Sequence, residues 1–115
     1  MSSVDELKSE YAKWAAEHGR ASEDGDSRSA NRAYRKLVAA YHGLQARGKE
    51  GQDSISQLME DSDAAIRCWA ASHCLESEPE RAVAKLRKIA EGTGAIAFSA
   101  EIILEEWAKG SLPPD

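Results

Sequence analysis

The sequence predicts an all-α fold of five to six antiparallel helices. Apolar residues recur with the helical period in successive segments, and no stretch alternates apolar and polar residues as a half-buried strand would. Glycine and proline residues separate these segments by short connections, which favour antiparallel neighbours. The 115 residues suit one domain, and we expect it to span residues 1–110.

The first two helices are predicted from clear end signals. Ser3 and Glu6 have the spacing of a capping box, and Gly25 is the expected end of the first helix. The second helix is predicted from Ser27 to Ala46 by an apolar stripe, in which we expect both tyrosines to face the core. The stripe consists of Ala30, Ala33, Tyr34, Leu37, Tyr41 and Leu44.

A short third helix and an apolar fourth helix follow. The third is predicted to be capped by Ser54 together with Gln57 and to carry Ile55, Leu58 and Met59. The fourth runs from about Asp63 to Leu75 and is apolar on nearly all sides. A helix of this kind is typical of a buried, central position.

The last two helices end in a polar tail. Ser77 is the expected cap of the fifth helix, with Pro79 in its first turn and Gly92 at its end. The sixth helix is predicted over about Ala95–Lys109. The two prolines that follow predict a flexible tail over residues 111–115.

The overall charge limits the classes of partner. Fifteen Lys and Arg residues stand against twenty Asp and Glu residues, which gives a net charge of −5. This balance disfavours bulk binding to nucleic acid or to an anionic membrane. No apolar run approaches the roughly 18–20 residues of a membrane span, and no signal peptide is recognisable. We therefore expect a cytoplasmic protein whose two cysteines, Cys68 and Cys74, stay reduced.

One segment resembles a HEAT repeat. In the stretch DSDAAIRCWAASHCL, Asp61, Arg67, the central alanines and Leu75 follow that pattern. The resemblance implies that Asp61 and Arg67 are structural polar residues, which in that family stack between repeats as a ladder. The second predicted hairpin has Glu91 and Ala97 at the equivalent places, so the ladder is not expected to continue there.

Taken together, four segments resemble a bacterial family known as domain of unknown function two-thousand-nineteen. The resemblance covers about residues 4–108. It implies a short HEAT-like stack, a right-handed α-α superhelix, and it implies no activity. The segments are GDSRSANRAYRKL, LQARGKEG, DSDAAIRCWAASHCL and PERA.

No catalytic, metal or cofactor motif is recognisable. His18, His42 and His73 fall on three different predicted helices, and no HExxH or ExxH motif occurs. His73 could be a buried general base, but a core histidine with one satisfied ring nitrogen is the favoured interpretation. We therefore expect a protein that is not an enzyme and binds no cofactor.

The predicted second helix carries a basic face. Residues 27–49 contain no acidic residue, and five cations lie opposite the apolar stripe, namely Arg47 and four candidates for partner binding. This face either docks an acidic partner or a phosphate backbone, or is a solvated face that complements acidic helices nearby; the last interpretation is favoured. Asn31, at the edge of the stripe, is expected to bond either the loop backbone near Asp26 or the following turn. The four candidates are Arg28, Arg32, Arg35 and Lys36.

The predicted sixth helix carries an apolar pair on its outer side. Phe98 and Ile102 are four residues apart and lie away from the main apolar face. One interpretation is a protein contact, including a homodimer through this helix. The other is that the N-terminal hairpin or the tail folds over the pair.

These observations predict a non-enzymatic protein–protein interaction or scaffold module with an unidentified protein partner. The alternative is an immunity-type protein that neutralises a toxin. An enzyme related to the HEAT-like DNA-repair glycosylases is a weaker alternative, because those enzymes need a longer basic concave surface. Neither membrane binding nor nucleic-acid binding is expected.

Overall fold

Six helices follow one another in the computed structural model, which describes residues 2–110. No strand occurs within this range, so the all-α prediction is confirmed there. The predicted tail at 111–115 lies outside the described residues. The helices are α1 (Val4–Glu23), α2 (Ser27–Gln45), α3 (Lys49–Leu58), α4 (Ala64–His73), α5 (Pro79–Ala90) and α6 (Ala95–Lys109).

Side-chain caps begin several of these helices. The predicted capping box is present in α1, where the Glu6 amide donates to Ser3 Oγ and the Ser3 amide donates to Glu6 Oε1, each over 3.1 Å. Asp26 and Asp63 are the N-caps of α2 and α4, where their carboxylates accept hydrogen bonds from backbone amides of the first turn. Each cap satisfies backbone donors that have no partner within the helix.

Two predicted helix starts were wrong. Helix α3 begins at Lys49, and Ser54 lies inside it, where its hydroxyl donates to the Glu50 carbonyl. The residue before α5 is Glu78, and the Ser77 hydroxyl instead donates to the carbonyl of Cys74. Serine bonds nearby carbonyls in many local conformations, so its presence alone does not locate a helix start.

The helices pack as two hairpins with α3 and α4 between them. Helix α1 packs on α2, helix α5 packs on α6, and α4 contacts α1, α3, α5 and α6. The prediction that the fourth helix is central and buried is therefore confirmed. Its buried residues are Ala65, Ile66, Cys68, Ala70 and Ala71.

A carboxylate on α1 holds the start of α6. Glu23 Oε1 accepts a hydrogen bond of 3.2 Å from the Ile96 amide, so the cap of α6 comes from a distant helix. Gly94 lies at φ +93°, and a side chain there would also meet the Glu23 carboxylate. Glycine is needed at this position because it accepts the positive φ and the close approach. The contact brings α6 beside α1.

The overall dimensions are those of a compact chain. The Cα radius of gyration is 13.2 Å and the principal extents are 38 × 31 × 26 Å, close to the roughly 13 Å expected for a folded domain of about 100 residues. Within residues 2–110, no helix has the length and apolar character needed to cross a bilayer.

Candidate functional site

A cleft of about 460 Å³ opens between α1, α2, α4 and α6. Its aromatic lining comes from His18, Tyr34 and Trp69, and isoleucines of α6 form the opposite wall. The cleft is therefore mainly apolar, with a few polar groups that could orient a ligand. Those polar groups belong to Ser22, Asn31, Ser72 and Ser99.

Aromatic contacts fix the inner wall of the cleft. The Trp69 ring lies 5.2 Å from the His18 ring in an edge arrangement and 5.9 Å from the Tyr34 ring. Partial burial lowers the pKa of His18. His18 is therefore neutral at physiological pH, and it adds no charge to the cleft.

A second histidine lies deeper, behind the cleft. His73 Nδ1 shares a hydrogen bond of 2.6 Å with the Tyr11 hydroxyl, and its ring stacks on Tyr41 at 3.7 Å. Burial, with the nearby His42, lowers the pKa of His73 to about 4, and burial raises that of Tyr11 well above its ordinary value. Both groups are neutral at physiological pH, as expected for a core histidine with one satisfied ring nitrogen.

The exposed large hydrophobic side chains gather around this cleft. Within residues 2–110 they are Phe98 at 63% exposure, Tyr34 at 46% and Ile102 at 42%. Tyr34 and Ile102 line the cleft, and Phe98 lies one helical turn before Ile102. Exposed apolar residues that cluster in this way mark contact surfaces more often than isolated ones do.

Two sequence expectations are corrected here. The inward orientation predicted for Tyr34 was wrong, because this residue lies at the edge of the α2 stripe and packs on Trp69 beside solvent. One interpretation was that the N-terminal hairpin covers Phe98 and Ile102. The hairpin does not cover them, since both side chains are exposed.

The basic face of α2 borders the cleft. Arg28, Arg32, Arg35 and Lys36 are exposed, and none forms an ion pair with any described residue. Arg28 and Arg35 lie one turn before and one turn after Asn31, which lines the cleft. The nearby acidic helices therefore do not neutralise this face through ion pairs.

Arg32 has a different neighbour. Its guanidinium lies 5.9 Å from the centre of the Trp14 ring, and the Lys13 ammonium lies 4.7 Å from the same ring. The Trp14 indole in turn donates to Glu10 Oε2 over 2.9 Å. Arg32 therefore packs toward α1, away from the cleft.

The expected structural polar residues behave differently from one another. Asn31 is exposed and makes no hydrogen bond to a described residue, so the bond expected near Asp26 or to the following turn is absent. Asp26 itself accepts from the amide and hydroxyl of Ser29. Asn31 is free to contact a ligand.

Arg67 holds the turn before its own helix. Its Nη1 donates to the carbonyls of Asp61 and Ser62 over 2.8 and 2.9 Å. The Asp61 carboxylate accepts from the Asp63 amide over 2.9 Å. The two side chains thus stabilise one loop locally, and they form no ion pair with each other.

The cysteines are free and buried. Burial raises the pKa of both Cys68 and Cys74 to about 11, so each is a neutral thiol at physiological pH. A neutral, buried thiol is a poor nucleophile. No group of three or more His, Cys, Asp or Glu side chains that could hold a metal ion occurs within the part of the chain described.

Comparisons with known proteins identify the fold. No family model matches the chain, and no curated protein matches it. Among solved structures, it is similar to the crystal structure of the protein RPA1889 from Rhodopseudomonas palustris CGA009, with a TM-score of 0.88 and 22% sequence identity. The match covers 100% of this chain and 96% of that chain. The likeness extends over the whole six-helix arrangement.

Sequence reasoning found the two walls of the cleft but missed the cleft. The cations of α2 and the apolar pair of α6 were recognised as separate surfaces. The one available signal was Tyr34, which lies at the edge of the α2 stripe, three residues from polar Asn31. A large aromatic residue at such a boundary is often half exposed.

Proposed function

We propose that this protein is a non-enzymatic protein–protein interaction module, and that the cleft between α2 and α6 is its binding surface. One observation carries the proposal: the exposed Tyr34, Phe98 and Ile102 surround one cleft, beside cations that no described acid neutralises. An apolar centre with a charged margin is the usual composition of a protein interface.

The shape of this surface favours a macromolecular partner over a small molecule. The apolar residues continue out of the cleft along α6 to Phe98, and the cations continue along α2. A small ligand inside the cleft would leave most of these groups in contact with water. A partner helix or loop laid across the mouth would cover them.

The chemistry in the cleft favours binding over catalysis. Its polar groups are hydroxyls, the Asn31 amide and neutral His18. The titratable cysteine that lines it, Cys68, is held as a thiol by burial. An activated nucleophile would need a depressed pKa or an adjacent base.

The finer fold and the location are also proposals. We propose that α3 to α6 form two HEAT-like hairpins in a right-handed stack, within the domain of unknown function family that the sequence resembles. The packing of α4 against both α5 and α6 supports this arrangement. A cytoplasmic location is supported by the two buried, free cysteines, which suit a reducing compartment.

Site-specific photo-crosslinking in the native host tests the proposed function. A photoreactive phenylalanine analogue replaces Phe98 in one strain and Lys88, which is exposed on α5, in a matched control strain. We expect irradiation to give protein adducts at position 98 and few at position 88. Mass spectrometry then identifies the trapped partner, including any toxin.

Two results would contradict the proposal. One is the absence of protein adducts at position 98, and also at position 34 when Tyr34 carries the analogue. The other is an equal yield at positions 98 and 88, which would mean that the cleft is no more a contact surface than the rest of the protein.

A further inference from the structure

The two helices that flank the cleft, α2 and α6, carry opposite charges on their exposed faces beside it. On α6, Phe98, Glu101, Ile102 and Glu105 form one exposed stripe, because they follow the i, i+3, i+4, i+7 spacing of a helix face. Neither Glu101 nor Glu105 forms an ion pair with a described residue. The outer face of α6 is therefore apolar and acidic.

The facing stripe on α2 is polar and basic. Arg28, Asn31 and Arg35 follow the same spacing, with Tyr34 beside them at the cleft. The α6 stripe thus offers two large apolar side chains and two negative charges, and the α2 stripe offers two positive charges beside Tyr34. The pairs of charges on the two stripes are opposite in sign, and each lacks a partner within the described residues.

We infer that the partner of this surface is a second copy of this chain, bound about a two-fold axis that passes through the mouth of the cleft. The inference rests on the proposed function. Such an axis exchanges the two walls, so α2 of each protomer faces α6 of the other. The arrangement sets Arg28 and Arg35 against the other protomer's Glu101 and Glu105, and it does so twice.

The same axis brings the exposed apolar residues into this contact. Tyr34, Phe98 and Ile102 of both protomers are covered there, and along α6 Phe98 and Ile102 alternate with Glu101 and Glu105. Apolar and charged groups both contribute to the contact, as in other protein interfaces. An acidic segment of a different protein would neutralise the arginines of α2, but it would place its own negative charges against Glu101 and Glu105.

Charge reversal followed by mixing tests this inference. The α2-reversed variant carries Arg28→Glu and Arg35→Glu, and the α6-reversed variant carries Glu101→Arg and Glu105→Arg. In the proposed dimer, each variant places like charges together at both contacts when it pairs with itself. In a mixed pair, both contacts again join opposite charges.

Sedimentation velocity at low salt provides the measurement. We expect the wild-type chain to dimerise reversibly within about 10–500 µM, and each reversed variant to dimerise at least about tenfold more weakly. An equimolar mixture of the two variants should recover wild-type dimerisation. The matched control, Arg87→Glu with Lys88→Glu on α5, should dimerise like the wild type.

Three results would overturn the second-copy inference: a wild-type chain that stays monomeric throughout this range, reversed variants that dimerise normally, or a mixture that stays monomeric. Far-UV circular dichroism of each variant excludes unfolding as the cause. If the chain is monomeric while position 98 crosslinks a different protein, this inference fails and the proposed function stands. If neither occurs, both fail.

Discussion

His73 illustrates how burial determines the chemistry of a single residue. Its imidazole is stacked on Tyr41 and bonded to the Tyr11 hydroxyl, and it also contacts the Trp69 ring at 5.7 Å. The nearby His42 adds no negative charge beside the ring and lowers the pKa of His73 further. Nothing there favours the imidazolium form, so its pKa falls to about 4.

The depressed pKa predicts an acid-sensitive fold. The unfolded chain gains a proton on His73 as the pH falls through about 6.5, whereas the folded chain gains it only near 4. Stability should therefore fall between about pH 6.5 and pH 4, by on the order of 3 kcal/mol in the free energy of unfolding. His18, whose pKa is also lowered, acts in the same direction.

Urea denaturation at pH 7.5 and pH 5 measures the larger part of this loss in stability, and His73→Gln should make the loss smaller. His42→Gln, at an exposed position, is the matched control and should retain most of it. An NMR titration tests the environment directly, even if a variant folds poorly. If the His73 ring titrates near pH 6.5, the interpretation of this site is wrong.

At the level of elements, glycine residues let the helices approach one another closely. A Cβ at Gly19 would clash with the Cβ of Ala65, and a Cβ at Gly51 would clash with the backbone carbonyl of Leu44. Gly51 lies in the first turn of α3, where this helix crosses the end of α2. Backbone atoms cannot move aside as a flexible side chain can.

Gly51→Ala should therefore destabilise the protein by about 1–3 kcal/mol, even though alanine is the better helix former. The midpoint of urea denaturation measures the change. The control is Gly92→Ala, where the new Cβ would meet the Ile89 carbonyl at 3.4 Å, and where we expect a change within about 0.5 kcal/mol. Equal stability of the two variants would show that α3 can shift away from α2.

At the scale of the whole molecule, one arginine joins α3 to α5. Arg81 Nη2 donates to Glu60 Oε2 over 2.7 Å and to the Ser56 carbonyl over 3.2 Å. Its Nη1 donates to Ser56 Oγ over 2.8 Å and to Glu78 Oε1 over 3.1 Å. Lys85 also donates to Glu60, over 2.7 Å. This network links α5 to α3 and to the turn that follows α3.

Removal of the Arg81 side chain should weaken the attachment of α5 to α3. Arg81→Met keeps much of the apolar stem and removes the bonds, and we expect a loss of about 1–3 kcal/mol in the free energy of unfolding. Arg87→Met, at an exposed arginine of the same helix, should have little effect. The expectation fails if both variants denature at the same urea concentration.

The parts of the fold that sequence reasoning predicted depend on neighbours within one helical turn. The helical period located the six helices, and the Ser3–Glu6 cap was recognised because its partners are three residues apart. The buried character of α4 followed from its own composition. The exposed cations of α2 and the pair Phe98 and Ile102 followed from their position on one helix.

Contacts between distant residues were decided only by the tertiary structure. The sequence by itself determined the helices and their faces, because spacings of three and four residues create them. It did not determine that Tyr34 stays half exposed against Trp69, that Glu23 caps α6, or that Arg81 reaches Glu60. These contacts depend on the angles and positions at which the helices cross. That geometry is determined jointly by the shapes of the two surfaces that pack against each other. For the same reason, only the folded chain brings the basic wall of α2 and the apolar wall of α6 to the two sides of one cleft.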